Sequence, residues 1–238
     1  MPTALSHNGP TNQSLSGHRY FELVLTVTHV DTELSNVQTP ITKPMDRFEK
    51  LILASRSLRR ADILRSVGWP FEIVVADIDE TRYDGEAPMD YVRRLSLAKA
   101  TVVASKIEEG LVLGADTTVA IDDHILEKPT DADDARRMLK LLSGRWHEVL
   151  TGVTLVRCYR KREPMVAVET TKVRFAELSD AEIDWYVSTG EPLDKAGAYG
   201  IQEKAALFIE EIQGDYFNVM GLPIRLVYKL ISTLKIDD

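Results

Sequence analysis

A single cysteine, Cys158, stands in a chain of 238 residues. One thiol excludes an internal disulfide framework and a cysteine-built zinc site, and it suits a reducing, cytoplasmic setting. Nowhere does an apolar run reach the roughly 18 residues that a membrane helix needs, and the N-terminus lacks the basic start and continuous apolar core of a secretion signal. Positive charge is also short. The 29 Lys and Arg face 37 Asp and Glu, for a net charge of -8, which argues against a nucleic-acid surface because polyanions demand a basic face. Any phosphate recognition must therefore be local. There is no Walker-type and no GxGxxG glycine pattern. The five histidines make no catalytic grouping, since His147 falls in an expected strand and His124 in a turn, so a Ser/His/Asp hydrolase has little support.

What is present is an ordinary globular composition, 44% hydrophobic and 28% charged, enough for one sizeable core. Residues 1–44 differ from the rest: they contain three of the five histidines, two Lys or Arg, and many Ser, Thr, Asn and Pro. Residues 1–45 are therefore expected to be a poorly ordered extension and residues 46–238 the functional domain. From residue 46 onward strands alternate with helices, the signature of an α/β domain with a mixed, twisted sheet flanked by helices. Strands are expected at 50–54, 71–75, 111–115, 147–158 and 165–176, the last two joined as a hairpin across 160–164. Helices are expected after Ser57, near Pro88, after Thr130 as N-cap with Gly144 past the end, and from the capping box Ser179 to Glu182 up to Gly190. A last helix follows Pro223 and should bury Leu226, Leu230 and Leu234.

The most informative stretch is 50–60, where an apolar strand runs into a helix whose first turn carries Arg59 and Arg60. A helix N-terminus already presents unpaired N–H groups and a partial positive charge, so cations there are unfavourable unless an anion sits among them. With Ser57 as N-cap this reads as a phosphate cradle, the alternative being a solvated basic turn. Asp116, at the end of the apolar run 111–115, is placed to hold a metal or activate a water, or else merely caps a turn. Glu80 also follows a strand, and a second acid near Asp116 would complete an oxygen site for Mg²⁺ or Mn²⁺. Lys99, Lys128 and Lys195 are either solvated side chains or, if they meet at one place, the compact cations a triphosphate requires. Residues 190–202, rich in glycine, form a loop that lets backbone approach a ligand closely, and Gln202 carries the donor and acceptor needed to read a pyrimidine edge, unless it is a plain surface amide. Asp215 and Asn218 are expected to order a turn.

In chain order, 53–60 (LASRSLRR), 114–117 (GADT), 127–129 (EKP), 142–144 (LSG), 151–153 (TGV), 194–202 (DKAGAYGIQ) and 221–223 (GLP) resemble the motifs of the Maf family of nucleoside triphosphate pyrophosphatases. The resemblance spans about residues 48–234 and implies an inosine-triphosphatase-like α/β fold and, as in many members, a homodimer. It also implies hydrolysis of a nucleoside triphosphate to monophosphate and pyrophosphate with a divalent metal (Mg²⁺, Mn²⁺ or Co²⁺). By the same resemblance Asp116 activates the attacking water, Glu80 and Asp116 hold the metal, and Ser57, Arg60, Lys99, Lys128 and Lys195 hold phosphates. Arg59, Thr117 and Gln202 match the branch of dTTP/UTP pyrophosphatases at the three positions near the base; the 7-methyl-GTP branch tends to have Trp, Gln and Glu. Normal and modified pyrimidine nucleotides both remain open as substrates. Two positions depart from the family: Leu58 replaces the usual proline and Glu203 the usual glycine. Glu203 adds negative charge beside Gln202 and leaves open an alternative, a nucleotide-binding regulator of cell division without turnover.

Overall fold

The computed structural model describes residues 50–122, 124–158 and 163–234. The extension expected at 1–45 and most of the hairpin tip expected at 160–164 lie outside these residues.

The strands are β1 (Leu51–Ala54), β2 (Glu72–Ile73), β3 (Leu111–Ile121), β4 (His124–Leu126), β5 (Trp146–Arg157), β6 (Met165–Phe175) and β7 (Ile209–Gln213), with β1 and β3 almost continuously buried. They make one seven-stranded mixed sheet in the order β2-β1-β3-β5-β6-β7, with β4 also paired to β3. The β1 strand is parallel to β2 and β3, whereas the β3–β5, β5–β6 and β6–β7 pairs are antiparallel. The helices are α1 (Leu58–Ser66), α2 (Pro88–Ala104), α3 (Ala132–Leu142), α4 (Asp180–Ser188), α5 (Tyr216–Met220) and α6 (Ile224–Thr233).

Side-chain alternation sorts the helices to the two faces. Ile52, Ala54 and Val112 pack on Ala100 and Val103 of α2; Leu51, Leu53, Leu111 and Leu113 pack on Ile63 and Leu64 of α1 and Val227 and Ile231 of α6. The α2 helix lies unusually low on the sheet. A Cβ on Gly152 would stand 2.2 Å from the Val92 carbonyl oxygen, and one on Gly114 2.3 Å from that of Ser96. Glycine at both positions is what permits the approach.

Three expectations need correction. The N-cap of α3 is Asp131, whose carboxylate accepts from Asp134 N at 2.8 Å; Thr130 instead donates its own N–H to Asp134, one residue further out. In α6 the buried stripe is Ile224, Val227 and Ile231, with Leu226, Leu230 and Leu234 only partly buried beside it; both stripes keep helical spacing and differ by one residue, about 100° of rotation, which spacing cannot resolve. Finally, the strand expected at 111–115 continues to Ile121, so Asp116 lies inside β3 and not beyond it.

Candidate active site

The extension of β3 creates the site. On one edge β5 pairs β3 from Leu111 to Ala120. On the other, β1 covers Leu111 to Gly114 and stops, and β4 covers Val119 to Ile121. Residues 115–118 of β3 therefore face a notch between two strand ends. Because β1 runs parallel to β3 and β4 antiparallel to it, both chains leave their strands toward this notch. One delivers Ser55 to Arg60, the other Glu127 and Lys128. Polar residues in a strand otherwise buried on both faces belong where a gap in the sheet gives them access.

Alternation sends Asp116 to one side of the notch and Thr117 to the other. Asp116 is 7% exposed and accepts from Lys99 Nζ at 2.6 Å. Lys99, three helical turns into α2 and itself buried, also holds Glu80 Oε1 at 2.9 Å. The two acids therefore meet through one ammonium. Burial pushes the Asp116 carboxyl above its usual 3.8, against the pull of Lys99 and Arg60 and with help from Glu80. Glu80 arrives on the segment before α2, which is fastened by Arg94: its guanidinium holds Glu86 at 2.6 and 2.7 Å and the Thr81 carbonyl at 3.1 Å, and lies 4.0 Å from the centre of the Tyr83 ring. Tyr91, one helical turn from Arg94, places its hydroxyl 3.2 Å from the Glu80 carbonyl and 3.0 Å from Glu127 Oε1, tying the Glu80 segment to the chain that leaves β4.

Across the notch, Ser57 caps α1 by accepting from Arg60 N at 3.4 Å, so Arg59 and Arg60 occupy the second and third helical positions as expected. Arg60 is buried and uses three of its five N–H groups inside the protein. They go to the Gly221 carbonyl at 2.7 Å, Ser55 Oγ at 3.1 Å and Thr117 Oγ1 at 3.0 Å. Burial lowers its pKa, countered by the charge of Asp116. Thr117 lies 2.9 Å from the Thr151 hydroxyl, which donates to the Asn218 carbonyl at 3.2 Å, so the hydroxyl of Thr117 is oriented from below.

The loop 190–202 resolves into short 3-10 turns at Glu191–Asp194 and Ala196–Ala198. Gly197, at φ +67°, packs against Val119 and donates its N–H to the Glu127 carbonyl at 3.1 Å, which brings the loop to the notch. Asp194 accepts from Arg59 at 3.3 Å and from Lys195 at 2.7 Å. Burial alone would raise the Asp194 carboxyl, yet Lys195 and Arg59 hold it below its usual value. Lys128 and Gln202 are exposed, and neither side chain bonds to the described residues. Asp215 caps α5 by accepting from Phe217 N at 2.7 Å and Asn218 N at 3.3 Å, an ordering role as expected.

The structure thus gathers Glu80, Lys99 and Asp116 on one side and Ser57, Arg59, Arg60 and Thr117 on the other, with Lys128 exposed on the chain that leaves β4 and Gln202 exposed on the turn after Gly200. Lys195, like Lys99, is buried, but it is enclosed by its own loop and does not reach Asp116 or Glu80. Several contributors were not singled out as chemistry in the sequence. Tyr91 reads as one more apolar member of its helix stripe, and Asp194 is legible only as the neighbour of Lys195. Glu127, Ser55 and Thr151 gain meaning only once β1 and β4 are seen to end at the same notch.

Two carboxylates, both held by one ammonium, fit a hard divalent cation such as Mg²⁺, which takes few protein oxygens and completes its shell with water and phosphate. Among the described residues no group of three or more His, Cys, Asp or Glu gathers to hold a metal, so a closed, all-protein metal cage is not formed there. No helix among the described residues is long and apolar enough to cross a membrane.

A family model described as Maf-like protein matches residues 50–234. A dTTP/UTP pyrophosphatase of Symbiobacterium thermophilum is 50% identical over 185 residues, covering 78% of this chain and 94% of that protein. Another dTTP/UTP pyrophosphatase, from Bacillus cytotoxicus, is 52% identical over 184 residues, covering 77% and 95%. Among solved structures, the Ham1 protein of Staphylococcus aureus aligns with 79% of this chain and 100% of its own at 12% identity and a TM-score of 0.44.

Proposed function

The chain belongs to the Maf family, and from that premise we propose that it is a nucleoside triphosphate pyrophosphatase acting on dTTP and UTP. The observation that carries the reading is the notch at residues 115–118 of β3, where a buried carboxylate paired with Lys99 faces a helix N-terminus bearing Arg59 and Arg60.

In this reading Asp116 takes a proton from a water aimed at the α-phosphorus, and the bond to the β-phosphate breaks. The products are nucleoside monophosphate and pyrophosphate. An Asp whose carboxyl is raised by burial is a better proton acceptor than one in water, provided it stays ionised beside Lys99. The phosphate tail meets Ser57 and the free N–H groups at the start of α1, the remaining donors of Arg60, the third donor of Lys99 and the exposed ammonium of Lys128. Glu80 and Asp116 would hold the divalent cation, which when bound neutralises charge on the phosphate oxygens. Arg59, Thr117 and Gln202 border the base. Such chemistry depends chiefly on positioning and charge stabilisation, and a set of side chains locked by packing and hydrogen bonds supplies both.

The test is product analysis across the common and modified nucleoside triphosphates with Mg²⁺, Mn²⁺ or Co²⁺. The expected result is pyrophosphate and monophosphate in equal amounts, fastest from UTP and dTTP. Orthophosphate as the sole product would identify a phosphatase instead, and tight binding with no product would identify a regulator.

A further inference from the structure

The Lys195 ammonium is surrounded by three oxygens of the protein: it donates to the Glu191 carbonyl at 2.7 Å and to Asp194 Oδ1 at 2.7 Å, and it forms an ion pair with Glu203 Oε2 at 3.0 Å. Lys195 is 5% exposed, so its stem and ammonium are sealed inside the loop. Glycine at position 200 allows this, since a Cβ there would lie 2.7 Å from Lys195 Cε; the lysine passes directly beneath the turn that presents Gln202. Asp194 carries the contact onward to Arg59 at 3.3 Å. The result is a charge-balanced chain, Arg59 to Asp194 to Lys195 to Glu203, with two cations and two anions. Its ends adjoin the two side chains that the proposed function places around the base, Arg59 on α1 and Gln202 on the turn.

We propose that Glu203 is a specificity-determining positioning residue. Its carboxylate completes the shell of Lys195, pins the 200–203 turn through that buried ammonium, and so holds Gln202 at a set distance from Arg59 to select a uracil or thymine edge. Lys195 then serves the base side of the pocket and not the phosphate tail. This rests on the pyrimidine reading of the site. A buried ammonium that loses one of three partners must find another or let water in, and either outcome moves the turn. Glu203 has an ordinary extended backbone at φ -115°, so glycine or glutamine at 203 is free of strain, and the effect of either comes from the carboxylate.

The experiment measures binding on the full chain, so that it does not depend on turnover. Calorimetry would compare the non-hydrolysable α,β-imido analogues of UTP and CTP, and inorganic tripolyphosphate as a probe without a base, for the parent, Glu203→Gln and Glu203→Gly, with thermal unfolding as a check of folding. The parent is expected to prefer the uridine analogue, and both variants to narrow that preference about fivefold, the scale of one partly exposed ion pair, with the loss falling on uridine. Tripolyphosphate affinity is expected to stay within about twofold throughout. Because Glu203→Gln keeps the side-chain shape, it carries the test even if the glycine variant unfolds. An unchanged base preference, a parent with no preference, or a tripolyphosphate affinity that moves together with the base effect would each overturn the proposal, the last by assigning Lys195 to the phosphates. Absence of pyrophosphate release by the parent would count against the enzymatic reading and is seen in a separate assay.

Discussion

Replacing Asp116 by Asn is the most direct perturbation of the proposed chemistry, and the structure sets its size. The side chain is buried, its Oδ1 lies 2.6 Å from Lys99 Nζ, and Lys99 has a second carboxylate, Glu80, at 2.9 Å. Asparagine keeps the shape and an acceptor oxygen but removes the charge. Near an effective dielectric of 20 the lost attraction is on the order of 4–5 kcal/mol, and the desolvation penalty that disappears with the charge is several kcal/mol of opposite sign, so the net change in stability should stay within about 2 kcal/mol. Lys99 is not orphaned, because Glu80 remains. Turnover should respond very differently. A positioned base contributes roughly 10²- to 10⁴-fold, or about 3–5 kcal/mol of barrier. The assay is pyrophosphate release from UTP under saturating Mg²⁺, paired with urea unfolding of both proteins. A fall in kcat of at least about a hundredfold with the unfolding free energy preserved is the expected pattern. If kcat instead stays within about fivefold of the parent, Asp116 is not the base. If stability falls by more than about 4 kcal/mol, the balance argued for the Lys99 pair is wrong.

Gly152→Ala should destabilise the domain by about 2–4 kcal/mol in urea unfolding and weaken turnover, because the added Cβ would sit 2.2 Å from backbone of α2, the helix that carries Lys99; a variant as stable as the parent would show that α2 does not rest on that strand. Tyr91→Phe removes the hydroxyl that reaches the Glu80 carbonyl and Glu127, so it should raise the Mg²⁺ concentration needed for half-maximal rate about three- to tenfold at a stability loss of about 1 kcal/mol; unchanged metal dependence would refute the link. His147 is 2% exposed with Nε2 2.8 Å from the Tyr199 hydroxyl, and burial lowers its pKa from 6.5 to about 4. Between those pH values the unfolded chain binds a proton that the folded chain refuses, so stability falls as pH drops through that window, by up to about 3 kcal/mol. His147→Gln should flatten this slope in urea unfolding at pH 7 and pH 4.5, and parallel losses in both proteins would show that the histidine is not its source.

Much of the architecture was open to inspection in the sequence because its causes are local. The cap at Ser57, the capping box at Ser179 and the proline that opens α2 are short-range signals, and each helix begins where those signals stand. The hairpin of β5 and β6 follows from two long alternating runs. The three residues of β4, one of them buried, carry too little periodicity to be read, and β7, with two buried-side residues among five, is little better. The buried stripe of α6 lies one residue away from the one its spacing suggests for a different reason: which of two adjacent stripes is buried depends on the surface it meets, Leu111, Leu113 and Val153 of the sheet, and not on α6 alone.

The same division runs through the site. Residue types and their order along the chain were sufficient to nominate Arg59 and Arg60, as cations at a helix N-terminus that call for an anion, Asp116 and Glu80, as acids that follow apolar runs, and Lys99, as a cation beside an apolar helix stripe. What each of them meets is a matter of distance between segments far apart in sequence. Only the folded sheet, with β1 ending at Ala54 opposite Gly114 and β4 ending at Leu126 opposite Val119, opens the notch that joins them. Only the enclosed loop shows that Lys195, chemically identical to Lys128, is surrounded by three oxygens of the protein while Lys128 faces solvent. A lysine's charge is a property of the residue; whether that charge is free is a property of the three acceptors that tertiary structure does or does not place around it.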